Sequence, residues 1–196
     1  MAKLFYLLSI ITIIIVLATT STMGWPTNHV VESVQTTHSR FPIDDGGQKQ
    51  THLRFFWHNF AGEQQPTAIT IAQGPTTNSS KTKFGLLNAF DDPITVGPNL
   101  SSQLLGQSQG IYASTDQKTA GLLMVMNFFF SYGNYKGSTL TILGRNQVFN
   151  EVREMPILGG TGLFRFARGF VEARTHSVDS KSSYTIVQYD CYIFYY

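Results

Sequence analysis

The chain has 196 residues and a formal net charge of +2, with 42% hydrophobic and 13% charged residues. So weak a charge argues against nucleic acid or an anionic membrane surface as a partner, and the length suits one domain. Few charges beside many aromatic, hydroxyl and amide side chains fit a β-sandwich or barrel; a helical bundle draws on Ala, Glu, Lys and Leu.

Met1-Ala2-Lys3 is a short basic start, residues 4–18 are almost wholly apolar, and Thr19-Thr20-Ser21-Thr22 follow. That order predicts a secretory signal peptide over 1–23, cut between Ala18 and Gly24, and a chain released to the extracellular space. The apolar run is shorter than the roughly 20 residues a spanning helix needs, so a membrane anchor is the weaker alternative. Residues 24–50 are polar and aperiodic and read as a flexible extension. His29 and His38 have no Cys or carboxylate between them at ligand spacing, and no metal is expected. The single cysteine, Cys191, excludes an intramolecular disulfide and reads as a small buried hydrophobe. Asn78-Ser79-Ser80 and Asn99-Leu100-Ser101 are sequons in turn-like surroundings, which makes Asn78 and Asn99 candidate glycosylation sites.

From residue 51 to 196 the chain reads as one β domain. Runs over 52–60, 67–73, 84–91, 104–114, 121–132, 138–144, 147–153 and 184–196 read as strands bounded by Gly, Pro, Asn and Asp. Asp92-Pro93 ends the third of these. Gly159-Gly160-Thr161-Gly162 reads as a turn into a further strand, alternating from Phe164 to His176. Its even positions (Phe164, Phe166, Arg168, Phe170) are large and its odd ones mostly small, as in the wall of a small barrel, with Gly169 marking a bend. Eight to nine strands without a helix leave a sandwich or an up-and-down barrel. Mid-strand glycines at 85, 106, 110, 144 and 169 favour the barrel, because tight curvature needs them.

No phosphate loop, zinc-spaced histidine pair or nucleophile elbow is present. The mouth of an eight-stranded barrel holds one small ligand, so inward polar residues are the candidates. In the first strand Leu53, Phe55, Trp57 and Asn59 share one face, and His52, Arg54, Phe56 and His58 share the other. Asn59 is either a pocket hydrogen-bonding group or a strand-end cap. Asp91-Asp92-Pro93 reads as a turn opener, with carboxylates at a pocket rim as the alternative. Arg153, between Glu151 and Glu154, is either a surface ion-pair partner or the cation for a developing phenolate. Tyr112 faces either the pocket or the outside. His58 and His176 read first as hydrogen-bonded structural groups.

Four ordered segments carry a resemblance: Phe56-Trp57-His58-Asn59, Phe90-Asp91-Asp92-Pro93-Ile94-Thr95, Gly106-Gln107-Ser108-Gln109-Gly110-Ile111-Tyr112 and Gly159-Gly160-Thr161-Gly162-Leu163-Phe164-Arg165. In these the chain resembles the plant dirigent proteins across residues 51–196. The resemblance implies an all-β, eight-stranded antiparallel barrel related to allene oxide cyclase, secreted to the apoplast as a homo-oligomer (dimer or trimer). It implies stereochemical control over phenylpropanoid phenols, through radical coupling to lignan-type products or closure of a quinone methide, with no cofactor of its own. Where coupling is the reaction, an oxidase (laccase or peroxidase) supplies the radicals.

The chain departs from the lignan-forming pattern at Asn59 and Asn146, where those relatives carry aspartate, and in having only Cys191 of a cysteine pair. Arg153 is retained. The Gly-Arg-Asn, Arg-Glu-Met-Pro and Gly-Leu-Phe-Arg-Phe-Ala-Arg-Gly runs resemble a subgroup that includes legume pterocarpan synthases, isoflavanol dehydratases that release water from 2′-hydroxyisoflavanols. On this reading Arg153, Asp92, Tyr112 and His58 are the catalytic candidates. Asn59, Asn146, Phe55, Trp57 and Phe166 are expected to contact substrate. A cell-wall or defence binding protein without turnover is a further alternative.

Overall fold

The computed structural model describes residues 47–62 and 65–196; the expected signal peptide and nearly all of the N-terminal extension lie outside the described residues. Nine strands follow one another: β1 (Lys49–Phe60), β2 (Ala68–Ala72), β3 (Leu87–Thr95), β4 (Leu104–Ser114), β5 (Gly121–Phe130), β6 (Thr139–Gln147), β7 (Arg153–Thr161), β8 (Arg168–Asp179) and β9 (Tyr184–Tyr195). Each pairs antiparallel with its neighbours in the order β1-β9-β8-β7-β6-β5-β4-β3-β2. A second edge of β1 meets β3 at Phe56↔Thr95 and Trp57↔Ile94, which closes eight strands into a barrel. Short β2 continues the pairing of β3 outside that ring. The expected all-β, eight-stranded antiparallel barrel is therefore what the chain forms.

Three local expectations differ from the structure. Asp92-Pro93 does not end the third strand, which runs on to Thr95. Pro93 falls between the β3 residues paired to β2, ending at Phe90, and those paired to β1, starting at Ile94. At that changeover its missing N–H leaves no ladder bond unmade. The seventh strand begins at Arg153 and continues through Gly159 and Gly160; the chain reverses at the 3-10 turn Gly162–Phe164. The alternation that begins at Phe164 consequently spans a turn. Phe164 anchors that turn in the core, while Phe166 has φ +61 and is 78% exposed.

In β8 the residues that face the interior are the small ones, Val171 and Ala173, both fully buried. Ala173 lies opposite Tyr189 of β9, and Tyr189 opposite Phe55 of β1. The wall is thin at β8 because large aromatics from β9 and β1 fill the space. Phe55 packs edge-on against Phe128 at 4.8 Å, and Phe128 against Tyr189 at 5.1 Å. Phe130, Phe164 and Tyr135 extend this cluster along the barrel. Rings of this size each remove well over 100 Å² from water and dominate the core energetics. Cys191 is buried among them, a small hydrophobe as expected.

Candidate functional site

The aromatic cluster leaves one end of the barrel open. There a cavity of about 700 Å³ is walled by Trp57, Leu122, Met124 and Val187; Asn59, Tyr112, Asn146, Arg153 and Thr175 are among its polar groups, and Glu151 and Arg174 also line it. The residues come from strand ends because only at an end do inward positions escape the core packing. Asn146 stands at the end of β6 and Arg153 at the start of β7, so the connection over 148–152 turns them toward each other.

Arg153 is 5% exposed. Its Nε donates to Asn146 Oδ1 at 3.2 Å, and its Nη1 donates to Thr175 Oγ1 at 2.8 Å and to the Asn150 carbonyl at 3.4 Å. All of these acceptors are neutral. Among the described residues no carboxylate lies within ion-pair distance of this guanidinium, and its Nη2 makes no hydrogen bond. Burial pushes its pKa down. A largely buried cation with only neutral protein partners is incompletely compensated for the water it has lost, and negative charge on a ligand at the open Nη2 offsets that cost. The surface ion-pair alternative for Arg153 does not hold.

Tyr112 faces the cavity. Burial, followed by the nearby charge of Asp92, pushes its pKa up to about 12, so it stays a protonated donor. Phe90 stands between Trp57 (5.6 Å) and Tyr112 (5.8 Å) and fixes their planes.

Asp92 lies one layer deeper and does not line the cavity. Asn59, which does, donates from Nδ2 to Asp92 Oδ2 at 2.8 Å, and the Thr67 hydroxyl donates to Oδ1. Asn59 is thus a pocket group rather than a strand-end cap, and Asp92 a positioning residue behind it. Burial raises the Asp92 pKa from 3.8 to about 7, with Asp91 adding to it; the Thr67 and Asn59 donors and the Trp57 indole oppose the rise. The Trp57 N–H is buried and meets no acceptor at normal hydrogen-bond geometry, so the Thr67 and Asn59 donors are the hydrogen bonds that hold Asp92. Because the folded carboxyl holds its proton more tightly than the unfolded one, its contribution to stability is present below about pH 4 and lost as pH rises through about 7. Melting temperatures of wild type and Asp92→Asn across that window are expected to converge with rising pH as the wild type alone declines. Parallel curves would assign the titration elsewhere.

His58 belongs to the outward face of β1 and does not reach the cavity, which corrects its place among the catalytic candidates. The Thr95 hydroxyl donates to the Gly97 carbonyl, so it accepts from His58 Nε2–H at 2.6 Å. Nδ1 then accepts from the Tyr184 hydroxyl at 2.6 Å. Burial lowers the pKa and keeps this tautomer neutral. Of the expected substrate contacts, Asn59, Asn146 and Trp57 line the cavity. Phe55 is fully buried in the core beneath it, and Phe166 sits on an exposed turn away from it. Thr67, Thr175 and the 148–151 segment are site components that sequence reasoning did not pick out. No spacing signals them, since each reaches the site through strand pairing or a connection between strands.

The family model described as Dirigent-like protein matches residues 50–194. "Dirigent protein 21" of Arabidopsis thaliana is 48% identical over 147 residues, covering 75% of this chain and 78% of that protein. "Pterocarpan synthase 1" of Glycyrrhiza echinata is 46% identical over 150 residues, covering 76% and 80%. A solved pterocarpan synthase dirigent protein superposes with a TM-score of 0.71 at 45% identity, over 76% of this chain and 92% of that one.

Proposed function

The chain belongs to the dirigent-like protein family, and from that premise we propose that its barrel binds a phenylpropanoid-derived phenol and imposes stereochemistry on its reaction. The observation that carries the reading is Arg153, a buried guanidinium with no carboxylate partner among the described residues, on the wall of an aromatic-sided cavity. Tyr112, which lines the same cavity, remains a neutral donor. Together they suit an oxygen on which negative charge develops, as the oxygen of a quinone methide does when a nucleophile closes on it. The apolar walls fix which face of the planar intermediate is open, and Asn59, held by Asp92, is placed to orient a second hydroxyl.

Within that reading, closure of a quinone methide fits these residues better than guidance of two radicals. Radical coupling develops no charge for a buried cation to stabilise. The likeness to pterocarpan synthases favours the same side, and a 2′-hydroxyisoflavanol is the substrate to try. Its C–O bond breaks with release of water, and its 2′-hydroxyl then adds to the resulting carbon. Asn59 and Asn146 cannot act as carboxylate bases and Asp92 does not reach the cavity, so proton movement falls to Tyr112 or water. Incubation with cis- and trans-2′-hydroxyisoflavanol in the absence of oxidant tests this directly. Accelerated, optically active pterocarpan is the expected product. An optically active lignan from coniferyl alcohol plus laccase, with no reaction on the isoflavanols, would replace closure with the coupling reading; racemic products in both leave a binding protein.

Secretion to the apoplast and N-glycosylation complete the proposal. Asn99 is exposed, and its Oδ1 accepts from the Ser101 hydroxyl at 2.9 Å and the Ser101 N–H at 3.0 Å, whereas Asn78 makes no such turn with Ser80. Glycosidase treatment of secreted protein is expected to remove a glycan from Asn99, and Asn99→Gln to abolish that shift.

Self-association is proposed on the outer wall. Ile69, Ala89, Ile111, Val125 and Leu143 are successive cross-strand neighbours from β2 to β6, giving a continuous outward apolar row. A second copy presenting the same row would cover it. Analytical ultracentrifugation is expected to show an oligomer that Leu143→Glu dissociates, with catalysis per folded barrel retained.

A further inference from the structure

We propose that the same pocket binds planar aromatic carboxylates, as a recognition property separate from turnover of a phenol. Arg153 holds the wall of the cavity with its Nε committed to Asn146 and its Nη1 to Thr175 and Asn150, leaving Nη2 without an acceptor among the described residues. The guanidinium lies in a shell of neutral groups. Asn146 is the immediate neighbour, and being an amide it accepts a hydrogen bond but returns no charge. Asp92 is behind Asn59 and burial favours its protonated form in mild acid.

The other charged groups around the cavity do not compensate. Glu151 lines the mouth but is exposed, where water screens it, and it makes no ion pair with Arg153. Arg174 is committed to Glu172 at 2.7 Å and Asp190 at 3.3 Å. The cavity is therefore an apolar, aromatic-sided space with one unmet positive charge at its polar wall. A neutral phenol meets Nη2 with a single uncharged acceptor. A carboxylate meets it with a full negative charge, and charge-assisted bonds between guanidinium and carboxylate are about twice as strong as neutral ones. In mild acid an aromatic acid is ionised and a phenol is not. The pocket is thus expected to select the acid over an uncharged analogue of the same shape. The ring would lie between the Trp57 and Met124 walls, and the carboxylate would meet Arg153 Nη2.

Isothermal titration of the mature protein at about pH 5.5 with 4-hydroxycinnamate and with its methyl ester tests this, the two probes sharing ring, phenol and length. The acid is expected to bind about tenfold or more tightly than the ester. Asn146→Asp, which sets a carboxylate against Arg153 Nε, is expected to bring the acid within about threefold of the ester, the ratio of the two affinities being the readout. Asn146→Ala, which adds no charge, is expected to keep the preference for the acid. Thermal melts of each variant confirm folding, and Arg153→Gln serves as an independent variant expected to abolish the preference. Equal affinities for acid and ester in the wild type would overturn the proposal, as would no detectable binding of the acid or a preference that survives Asn146→Asp. Because the readout is affinity for a non-reacting acid, loss of this proposal leaves the phenol-closure reading to be decided by its own assay.

Discussion

Replacing Arg153 with alanine is expected to lower turnover of a 2′-hydroxyisoflavanol by about 10²–10³, the range seen when a donor to a developing oxyanion is removed. Thermal stability is expected to stay near that of wild type. The two effects separate because, among the described residues, Arg153 has neutral partners only. Removing one member of a buried ion pair strands the other charge, but here Asn146 Oδ1, Thr175 Oγ1 and the Asn150 carbonyl are left facing a cavity that water enters. The cost of desolvating the guanidinium disappears with it and offsets the lost hydrogen bonds. Arg153→Lys is expected to fall between. An ammonium keeps the charge but cannot bond Asn146 and Thr175 from the fixed fork of a guanidinium. Steady-state kinetics on purified variants, paired with thermal melts, distinguish the outcomes. Proportional loss of stability and activity would make Arg153 a structural residue and remove the observation on which the functional reading stands.

The residues of this chain announce the barrel more clearly than they announce the site. β1 shows why. Its alternation of Leu53, Phe55, Trp57 and Asn59 against His52, Arg54, Phe56 and His58 is visible in the sequence, and the first set faces the interior. How far along the barrel each residue sits is another matter. Phe55 and Trp57 share a face, yet one is core and the other cavity wall, because Phe128 and Tyr189 fill the interior only up to the level of Phe55. That level depends on long-range register, to which periodicity is blind. Asp92 makes the same point. Locally, Asp before Pro reads as a turn, but closure of the ring by β1 places Pro93 at the one position of β3 where a missing N–H costs nothing. The alternating run from Phe164 misled for a complementary reason. A turn of Gly162, Leu163 and Phe164 preserves the parity of large and small residues while reversing the chain, so the pattern persisted across a break in the strand.

Gly169→Ala is expected to be the most destabilising of the single-methyl substitutions at the glycines of this region, by on the order of 3 kcal/mol or more. Two independent penalties coincide there. The residue has φ +144, a conformation that side chains rarely adopt, and a Cβ would stand 1.9 Å from the Tyr192 carbonyl oxygen. That oxygen belongs to the backbone of the paired strand, so it cannot swing aside as a side-chain end would; β8 and β9 must part where the wall bends. Two other glycines divide the penalties. Gly137 has φ +82 but open space around it, so alanine there pays the conformational term alone, about 1 kcal/mol. Gly159 has neither a positive φ nor any atom within 4 Å of a Cβ, so alanine is expected to change stability by less than about 0.5 kcal/mol. The sequence pattern groups Gly159 with Gly160 and Gly162 as one turn, whereas the structure places it within β7 as a replaceable residue. For a domain of this size each kcal/mol moves the melting midpoint by roughly 2–4 °C, so the three variants should be resolved in one set of thermal scans. If Gly169→Ala melts with the wild type, backbone approach at that bend is not what shapes β8, and the thinness of the wall must then rest on Ala173 giving way to Tyr189 alone.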